Sequence, residues 1–303
     1  MAQKAVVTGG AGFIGCNLVD ALVDRGFDTT VVDTYVGGRR EDRINARARY
    51  HEVDIRSTDE LEKIFQGADV AFHTAALPRV AYSLEHPVET TDVNVTGTVS
   101  VLTAAAHAKV RRVVYSSSGS AYGTQKELPF VETMRANPVN PYGLQKHVGE
   151  LFAKVWSEAF QIETVCLRYF NVYGPRLDPT GPYALAVGAF LLAKKEKRAI
   201  TIFGDGTITR DYTHVRDIVR ANLMAMESKR VGNGEVINIG TGRNVTIQFL
   251  AELVGGDITY GPPRVEAHDA QANNTLAKEL LGWEPEVSLE EGIAELKKQF
   301  GIA

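Results

Sequence analysis

The sequence predicts an α/β fold in which helices cover both faces of a doubly wound parallel sheet. Short β-branched runs alternate with longer segments of helical period over the first two-thirds of the chain. These runs are apolar almost throughout, as is typical of strands buried on both faces. A glycine-rich turn follows the first run and opens the first helical segment. Strands separated by helices in this way imply right-handed crossovers and parallel pairing.

The individual elements follow from the same periodicity. The predicted strands are Ala5–Thr8, Thr29–Asp33, Tyr50–Glu52, Val70–His73, Arg112–Ser116 and Thr164–Arg168. The predicted helices are Phe13–Arg25, Asp59–Phe65, Val93–Ala108 and Tyr142–Phe160. After about Tyr173, glycine and proline cluster and the helical segments shorten, which predicts a smaller C-terminal α/β lobe for the substrate. We expect residues 1–172 to form the first domain with a returning segment near 211–240, and residues 173–210 and 241–303 to form the lobe.

The composition fits a globular protein and excludes several classes. The chain has 303 residues, a formal net charge of −4 and a pI of about 6.0, so it lacks the basic balance that nucleic-acid binding usually needs. Two cysteines, Cys16 and Cys166, are too few for a disulfide scaffold, and the 7 histidines show no metal-ligand spacing. The longest apolar stretch, near Tyr183–Ala193, is too short to cross a bilayer. We therefore expect a cytoplasmic protein with no bound metal, no nucleic-acid partner and no membrane contact.

The turn after the first strand belongs to the segment VVTGGAGFIG, which places Gly9, Gly12 and Gly15 at GxxGxxG spacing. Glycines there permit a tight turn, close approach of the backbone to a pyrophosphate and close helix packing. The N-terminus of the following helix offers N–H donors to phosphate. Asp33 ends the second strand, where a carboxylate can bind the adenosine ribose and repel a 2′-phosphate. The arrangement predicts a Rossmann-type site for NAD, and the alternative is a purely structural turn.

A Tyr-x-x-x-Lys pattern marks the candidate general base. On a helix it places a phenol and an ammonium one turn apart, and the cation is expected to lower the phenol pKa. Two pairs match, Tyr122/Lys126 and Tyr142/Lys146. Tyr122 is followed by a glycine in a predicted loop, so we interpret it as a pocket wall. Tyr142 follows Asn140-Pro141, a favourable helix start, and we therefore choose Tyr142 and Lys146.

The serine run Ser116-Ser117-Ser118 ends a predicted strand upstream of Tyr142. Open α/β sheets bind ligands at the carboxyl ends of their strands. A hydroxyl at this point could bond both a substrate oxygen and the Tyr142 phenol, whereas the alternative is a strand cap. We therefore expect a functional serine in this run.

These residues resemble a known family, the extended short-chain dehydrogenase/reductases, and within it the NAD-dependent nucleotide-sugar epimerases. The resemblance spans nearly the whole chain. It rests on the segments VTGGAGFIG, FHTAA, SSSGSAYG, PYGLQK, LRYFNVYGP, GDGTITRDYTHVRD and LGWEP. It implies that Ser118 is the catalytic hydroxyl, that Tyr142 is the base, and that Lys146 assists it and holds the nicotinamide ribose. It also implies a homodimer through the helices near 93–108 and 142–160, and the alternative is that the apolar faces of these helices pack within the chain's own core.

Motifs and resemblance together give the expected binding residues. For NAD they are Gly9, Gly12, Phe13, Ile14, Gly15, Asp33, Asp54, Ile55, Ala75, Ala76, Asn94, Ser116, Tyr142, Lys146 and Tyr169. For a UDP-sugar they are Ser118, Tyr142, Asn171, Tyr183, Arg210, Arg264 and Ala270. Asn171 matches the asparagine that contacts the sugar nucleotide, and Arg210 matches the arginine that clamps its diphosphate. Arg264 would be a second clamp, although it lies about one residue out of register.

The resemblance also bears on the reaction. Related dehydratases and decarboxylases carry an acid beside the catalytic hydroxyl, whereas in this chain Gly119–Ala121 follow Ser118. This favours simple epimerisation at C4 through a 4-keto sugar. Ala270 stands where the family sets pocket width, and a small residue there implies UDP-GlcNAc/UDP-GalNAc, with UDP-Glc/UDP-Gal as well. The alternatives are a UDP-glucuronate 4-epimerase with Arg79 facing the carboxylate, a nucleotide-sugar 4-keto reductase, and a dinucleotide-binding module without activity.

Overall fold

The structure is a computed structural model that describes residues 2–180, 185–263 and 269–302. Its strands are β1 (Lys4–Thr8), β2 (Asp28–Asp33), β3 (Arg49–Glu52), β4 (Val70–His73), β5 (Arg112–Ser118), β6 (Glu163–Tyr169), β7 (Val172–Tyr173), β8 (Ile200–Phe203), β9 (Thr209–Asp211), β10 (Thr213–His214), β11 (Asn233–Ile239), β12 (Asn244–Thr246) and β13 (Ile258–Gly261). Its α-helices are α1 (Phe13–Asp24), α2 (Thr58–Phe65), α3 (Val80–Glu85), α4 (Pro87–Thr91), α5 (Gly97–His107), α6 (Pro141–Phe160), α7 (Ala186–Lys195), α8 (Val215–Glu227), α9 (Ile247–Val254), α10 (Thr275–Leu281) and α11 (Leu289–Phe300). Short 3-10 helices span Glu41–Arg43 and Gly119–Tyr122, and a π-helical turn spans Asp92–Thr96.

Seven strands of the described residues form one parallel sheet in the order β11-β6-β5-β4-β1-β2-β3. From β1 the chain builds outward to β3, and from β4 it builds in the opposite direction to β11. Such sheets bind ligands in the crevice at the carboxyl ends of the strands where the order reverses, which is between β1 and β4. The predicted doubly wound, Rossmann-type sheet is therefore confirmed.

All six predicted strands are present, with ends that differ from the prediction by at most two residues. The sequence pattern does not predict β11, although it places this strand within the segment that returns toward the first domain. Polar residues interrupt the sequence of β11, and one of them, Asn238, is buried and hydrogen-bonded to the Tyr122 hydroxyl. The helix predicted over Val93–Ala108 consists of the π-helical turn followed by α5.

Helices cover both faces of the sheet, as predicted. Helices α1, α8 and α10 pack on one face around Leu18, Leu22 and Trp283, which are fully buried. Helices α2, α5 and α6 cover the other face around Leu61 and Phe65. Burying one large apolar side chain contributes about 1.5–3 kcal/mol. The two cores therefore hold the strand ends, and the residues on them, in fixed positions.

Away from the sheet, α7, α9 and α11 pack with β8 around a separate apolar cluster that includes Phe190, Leu250 and Ile293. Two-stranded pairs, β7 with β10, β8 with β13 and β9 with β12, lie outside the main sheet. The antiparallel pair of β9 and β12 places Arg210 opposite Val245. Among the described residues, no helix combines the length and the apolar character that a membrane span requires.

Candidate active site

The carboxyl ends of the parallel strands meet at one edge of the sheet, where many of the predicted site residues lie. Strand register places Thr8 of β1 beside His73 of β4, and Ser118 of β5 beside Tyr169 of β6. Asp33 is the last residue of β2. One edge therefore carries the glycine turn, the acidic residue and the serine run.

The glycine turn after β1 leaves no room for side chains. Gly9 has a left-handed φ of 73°, and a Cβ on it would lie 2.6 Å from the backbone nitrogen of Ala75. A Cβ on Gly15 would lie 2.2 Å from the carbonyl oxygen of Gly9. Helix α1 starts at Phe13 with Gly12 as its N-cap, and in this described stretch no side chain caps it and no acidic residue enters its first turn. The first N–H groups of α1 are therefore open to an anion.

Asp33 ties the glycine turn to β2. Its carboxylate accepts hydrogen bonds from the Ala11 N–H at 3.0 Å and from the Tyr35 N–H at 2.8 Å. A carboxylate has about four lone-pair sites, so acceptor capacity remains for ribose hydroxyls. The turn, the helix end and this carboxylate fit the diphosphate and the adenosine ribose of NAD.

Three further predicted NAD residues border the turn or hold its border in place. Ala75 and Ala76 follow β4, and the backbone of Ala75 lies directly against Gly9. Asn94, in the π-helical turn, accepts a hydrogen bond from the Leu77 N–H at 2.8 Å and donates one to the Leu77 carbonyl at 3.1 Å. The side chain of Asn94 therefore fixes the loop that carries both alanines.

Asp54 and Ile55, which follow β3 and are predicted to bind NAD, contact other residues of the protein. Asp54 forms an ion pair with Arg56 at 2.6 Å, and Ile55 is buried against the position of Gly97. His73, the last residue of β4, is buried. Its two ring nitrogens are each within 2.9 Å of a threonine hydroxyl, and burial lowers its pKa to about 3. His73 is therefore a neutral core residue.

Helix α6 brings Tyr142 and Lys146 to the end of β5. Asn140 caps this helix by accepting a hydrogen bond from the Gly143 N–H at 2.8 Å, and Pro141 occupies the first turn. The helix therefore starts where the sequence predicts, since a proline is favourable at that position and an asparagine before it.

The end of β5 brings together the three predicted catalytic residues, Ser118, Tyr142 and Lys146. The hydroxyl of Ser118 is hydrogen-bonded to the Tyr142 phenol. The Lys146 ammonium lies 6.0 Å from the centre of the Tyr142 ring and donates to the Ser116 carbonyl at 2.8 Å. Below them, the hydroxyls of Ser116 and Tyr169 are 3.1 Å apart. The structure thus groups the three predicted catalytic residues on the sheet edge that carries the glycine turn.

The electrostatics of this corner differ from the prediction in one respect. Burial raises the pKa of Tyr142 to about 12, and the contributions that lower it come from the Ser118 hydrogen bond and from the positive charge of Arg79. Burial also lowers the pKa of Lys146 to about 8. The expected lowering of the phenol pKa by Lys146 is therefore not seen in this structure: burial is the largest influence on Tyr142, and Lys146 is not among the groups that lower its pKa.

The second Tyr-x-x-x-Lys pair is not on a continuous helix. Tyr122 ends the short 3-10 helix and Lys126 lies in the exposed loop beyond it. The Tyr122 ring is fully buried against Phe130 and Phe170, so it is a core residue rather than a pocket wall. The choice of Tyr142 over Tyr122 agrees with these positions.

Predicted substrate residues that the structure describes lie near one another around β9. Asn171 donates to the Asp211 carbonyl at 3.1 Å, and Arg210 is the preceding residue on β9. The Ala270 N–H donates to the Thr209 carbonyl at 3.2 Å. Asn171, Arg210 and Ala270 are therefore neighbours. Tyr183 and Arg264 lie outside the described residues.

Sequence reasoning missed three charged residues that are buried at this site. Asp211 accepts hydrogen bonds from the backbone N–H groups of Thr241, Gly242 and Ala272, and so arranges the segments beside Arg210. Glu150 and Arg168 form a buried ion pair behind Ser118. The position of Glu150 one turn after Lys146 is a signal that could have identified it. Within residues 2–180, 185–263 and 269–302, no group of three or more His, Cys, Asp or Glu side chains could hold a metal ion.

A Rossmann-type sheet with an open phosphate turn and an adjacent Tyr–Lys pair defines a dinucleotide-dependent enzyme. The model of the NAD dependent epimerase/dehydratase family matches residues 5–240. The chain belongs to this family, and it is therefore an NAD-dependent enzyme. The family, the cofactor and the class of enzyme predicted from the sequence are confirmed.

Relatives match the chain over nearly its whole length. The UDP-glucose 4-epimerase of Mycolicibacterium smegmatis is 36% identical over 311 residues, which cover 98% of each chain. A structure of UDP-glucose 4-epimerase from Thermotoga maritima with UDP-glucose is 37% identical, has a TM-score of 0.93 and covers 98% of this chain and 99% of its own. A UDP-N-acetylglucosamine 4-epimerase from Methanobrevibacter ruminantium, in complex with UDP-N-acetylmuramic acid, is 30% identical with a TM-score of 0.91, and covers 98% and 99%.

Proposed function

We propose that the protein interconverts the C4 epimers of a UDP-sugar, with UDP-GlcNAc and UDP-GalNAc as its preferred pair and UDP-Glc and UDP-Gal as a second pair. The observation that carries the reaction is the grouping of Ser118, Tyr142 and Lys146 on the sheet edge that holds the NAD-binding turn. Relatives named as UDP-glucose and UDP-N-acetylglucosamine 4-epimerases support it. In this proposal residues 1–172 with 211–240 hold NAD, and residues 173–210 and 241–303 hold the sugar nucleotide.

In this proposal, residues of the chain transfer the proton to and from the sugar 4-oxygen. Tyr142 takes the proton of the 4-hydroxyl and returns one to the 4-keto oxygen, and Ser118 hydrogen-bonds the same oxygen. Bound NAD supplies the hydride acceptor and donor at C4. Tyr142 is protonated at neutral pH when its pKa is about 12, and the Ser118 hydrogen bond and the positive charge of Arg79 favour its ionised form. The cycle regenerates NAD, so turnover needs no added cofactor.

The small side chain of Ala270 supports an N-acetylated sugar. Ala270 packs on the cluster that contains Phe170, and a Cβ on Gly119 would lie 3.2 Å from the Phe170 ring. Gly119 follows Ser118, while the Ala270 backbone bonds to the residue before Arg210. These contacts connect Ala270 with both the Arg210 strand and the Ser118 loop, which supports a place for it beside the sugar ring in this proposal.

Incubation of the purified protein with UDP-GlcNAc, UDP-Glc and UDP-glucuronate separately, without added NAD, tests the proposal. We expect chromatography to resolve UDP-GalNAc as the main product and UDP-Gal as a slower one. Turnover of UDP-Glc with none of UDP-GlcNAc would contradict the argument from Ala270. Turnover that requires added NADH or NADPH and a keto sugar would show a reductase instead.

Enlarging residue 270 tests the pocket directly. In Ala270→Tyr we expect kcat/KM for UDP-GlcNAc to fall ~10–100-fold while that for UDP-Glc is retained, because the added ring competes with the acetyl group. Ala270→Ser is the matched control, since it adds one oxygen and should keep both activities. An equal loss on both sugars in Ala270→Tyr would mean that residue 270 does not set the pocket width.

UDP-glucuronate is the second candidate substrate, and Arg79 favours it. The guanidinium of Arg79 is half-buried and makes no hydrogen bond or ion pair with any described residue, although it interacts electrostatically with Tyr142. A buried cation of this kind suits a substrate carboxylate. If UDP-glucuronate is turned over, Arg79→Gln should lower that activity more than activity on UDP-GlcNAc. An equal effect on both substrates would remove the carboxylate role.

We also propose that the protein is a homodimer. Leu144, Leu151 and Val155 are exposed on α6, at spacings that place them on one side of the helix. An exposed apolar stripe of this kind is typical of an interface. The cytoplasmic location expected from the sequence stays a prediction.

A further inference from the structure

A buried ion pair between Glu150 and Arg168 lies next to Ser117, the residue before Ser118, and on the same helix as Lys146. Glu150 follows Lys146 by one turn of α6, and its side chain is 2% exposed, while that of Arg168 on β6 is 4% exposed. Arg168 donates two hydrogen bonds to the two carboxylate oxygens of Glu150, each of 2.7 Å. Because desolvation offsets much of the attraction within such a pair, stability alone is a weak reason for its presence.

The same carboxylate contacts the strand end that carries Ser118. The Ser117 hydroxyl donates to Glu150 at 2.5 Å, and Ser117 directly precedes Ser118 on β5. Ser118 in turn is hydrogen-bonded to the Tyr142 phenol. A short series of bonds therefore connects Glu150 to the proposed base.

The groups that surround Lys146 are otherwise neutral near pH 7. Burial raises the pKa values of Tyr115 and Tyr142 above that of a free phenol and raises the pKa of the Cys166 thiol. Burial lowers the pKa of His73, on β4, to about 3. Together with Glu150, these are the titratable groups on α6, β4, β5 and β6 that interact with Lys146 in the described structure.

Glu150 carries the negative charge of this group. Burial alone would raise its pKa, but hydrogen bonds from Arg168, His147 and Ser117 outweigh burial and hold the pKa below its usual value. The carboxylate of Glu150 raises the pKa of Lys146, against the larger lowering effect of burial. The ionised carboxylate therefore favours the protonated lysine.

We propose that Glu150 is a positioning residue for the reaction: it fixes Ser118 through Ser117, and it stabilises the positive charge of Lys146 from one helical turn away. This inference rests on the proposed function, since Ser118 and Lys146 act in that reaction. Glu150 itself does not touch the substrate or the cofactor in this assignment.

The pH dependence of turnover tests the charge effect. In Glu150→Gln we expect kcat to fall ~10-fold or more, and its alkaline limb to move by about one unit to lower pH, because Lys146 loses its proton more readily. Glu158→Gln is the matched control on the same helix, since Glu158 is exposed and pairs with Lys154. This control should show the wild-type kcat and the wild-type alkaline limb of its pH profile. A wild-type alkaline limb in Glu150→Gln overturns the charge effect.

Ser117→Ala tests the positional effect without changing any charge. We expect kcat to fall ~5-fold with KM and the alkaline limb unchanged, as for the loss of one hydrogen bond. A wild-type kcat in this variant overturns the connection to Ser118. If Glu150→Gln does not fold, the double variant E150Q/R168Q removes both charges while keeping hydrogen-bonding groups, and it should show a smaller shift of the limb in the same direction, because the loss of the Arg168 cation partly offsets the loss of the carboxylate.

A direct titration separates this inference from the proposed function. NMR of protein labelled with ¹³C at the lysine ε-carbons, with Lys146→Arg for assignment, measures the pKa of Lys146 whether or not a substrate is turned over. We expect that pKa to lie lower in Glu150→Gln than in the wild type. An unchanged pKa overturns the inference, whereas absence of turnover of every UDP-sugar by the wild type overturns the proposed function alone.

Discussion

At the scale of single residues, the site depends on two buried groups that burial drives toward their neutral forms. The Tyr142 phenol has a pKa of about 12 and the Lys146 ammonium a pKa of about 8. A phenol with this pKa is protonated at neutral pH and must lose its proton before it can act as a base, so its reactivity depends on the hydrogen bond from Ser118 and on nearby positive charge. The chemistry is therefore set by the surroundings of the phenol more than by the phenol itself.

Removing the Tyr142 hydroxyl should abolish most of the turnover. In Tyr142→Phe we expect kcat on the preferred UDP-sugar to fall ~10²–10⁴-fold, because the proton acceptor is lost while the ring that packs in the site is kept. Steady-state kinetics and a thermal melt measure both properties. Tyr122→Phe is the control from the second Tyr-x-x-x-Lys pair. It loses a hydrogen bond to Asn238, so it should lose stability and keep turnover. The reverse result would reassign the base.

At the scale of elements, the turn between β1 and α1 joins fold and binding site. The same close approaches that exclude side chains from Gly9 and Gly15 bring the backbone of the loop after β4 against the turn. Asp33 then fixes the turn to β2 through the Ala11 N–H. Three strands thus set the shape of one phosphate-binding turn.

A single methyl group should disturb this element. In Gly15→Ala the new Cβ would lie 2.2 Å from the Gly9 carbonyl oxygen, so we expect bound NAD to be lost and stability to fall by about 1–3 kcal/mol. Absorbance of the supernatant after denaturation measures NAD content, and denaturant unfolding measures stability. Gly37→Ala is the control, because Gly37 is exposed and a Cβ there meets nothing within 4 Å. Full NAD content in Gly15→Ala would contradict the assigned turn.

The sequence predicted elements with regular local patterns and missed those fixed by distant contacts. The apolar run of β1 and the Asn140-Pro141 start of α6 are readable within a few residues. Strand β11 is not, because its buried Asn238 is hydrogen-bonded to residues that lie 35 to 116 positions away in the chain. Glu150 lies on α6 one turn after Lys146, a spacing that could have suggested its role, but its ion pair with Arg168 on β6 is not readable from the local sequence.

At the scale of the whole molecule, helix α6 connects the proposed active site with the proposed dimer interface, because its two sides face different surroundings. One side carries Lys146 and Glu150, which are buried against the sheet. The other side exposes Leu144, Leu151 and Val155. In a dimer formed through the exposed side, the partner would therefore contact the same helix that carries Tyr142, the proposed base.

A charge on this stripe should separate the proposed dimer. We expect Leu151→Glu to elute as a monomer in size-exclusion chromatography with light scattering, because a carboxylate cannot be desolvated in an apolar interface without a partner. Val36→Glu is the control, since Val36 is a similarly exposed apolar residue in the loop after β2. A dimeric Leu151→Glu protein, or a monomeric wild type, would refute this interface.

The position of β11 has a consequence for how the chain is made on the ribosome. Strand β6 pairs with β5 on one side and with β11 on the other. The last residue of β11 lies about 70 residues after the last residue of β6, so this second edge stays unpaired until that stretch has been synthesised. At ~5–20 residues per second, synthesis of that stretch takes roughly 4–14 s. During this interval the nascent sheet presents an apolar edge that can pair with another chain. Crowded translation of this protein should therefore favour aggregation before release, and chaperones that shield nascent strands should raise its yield.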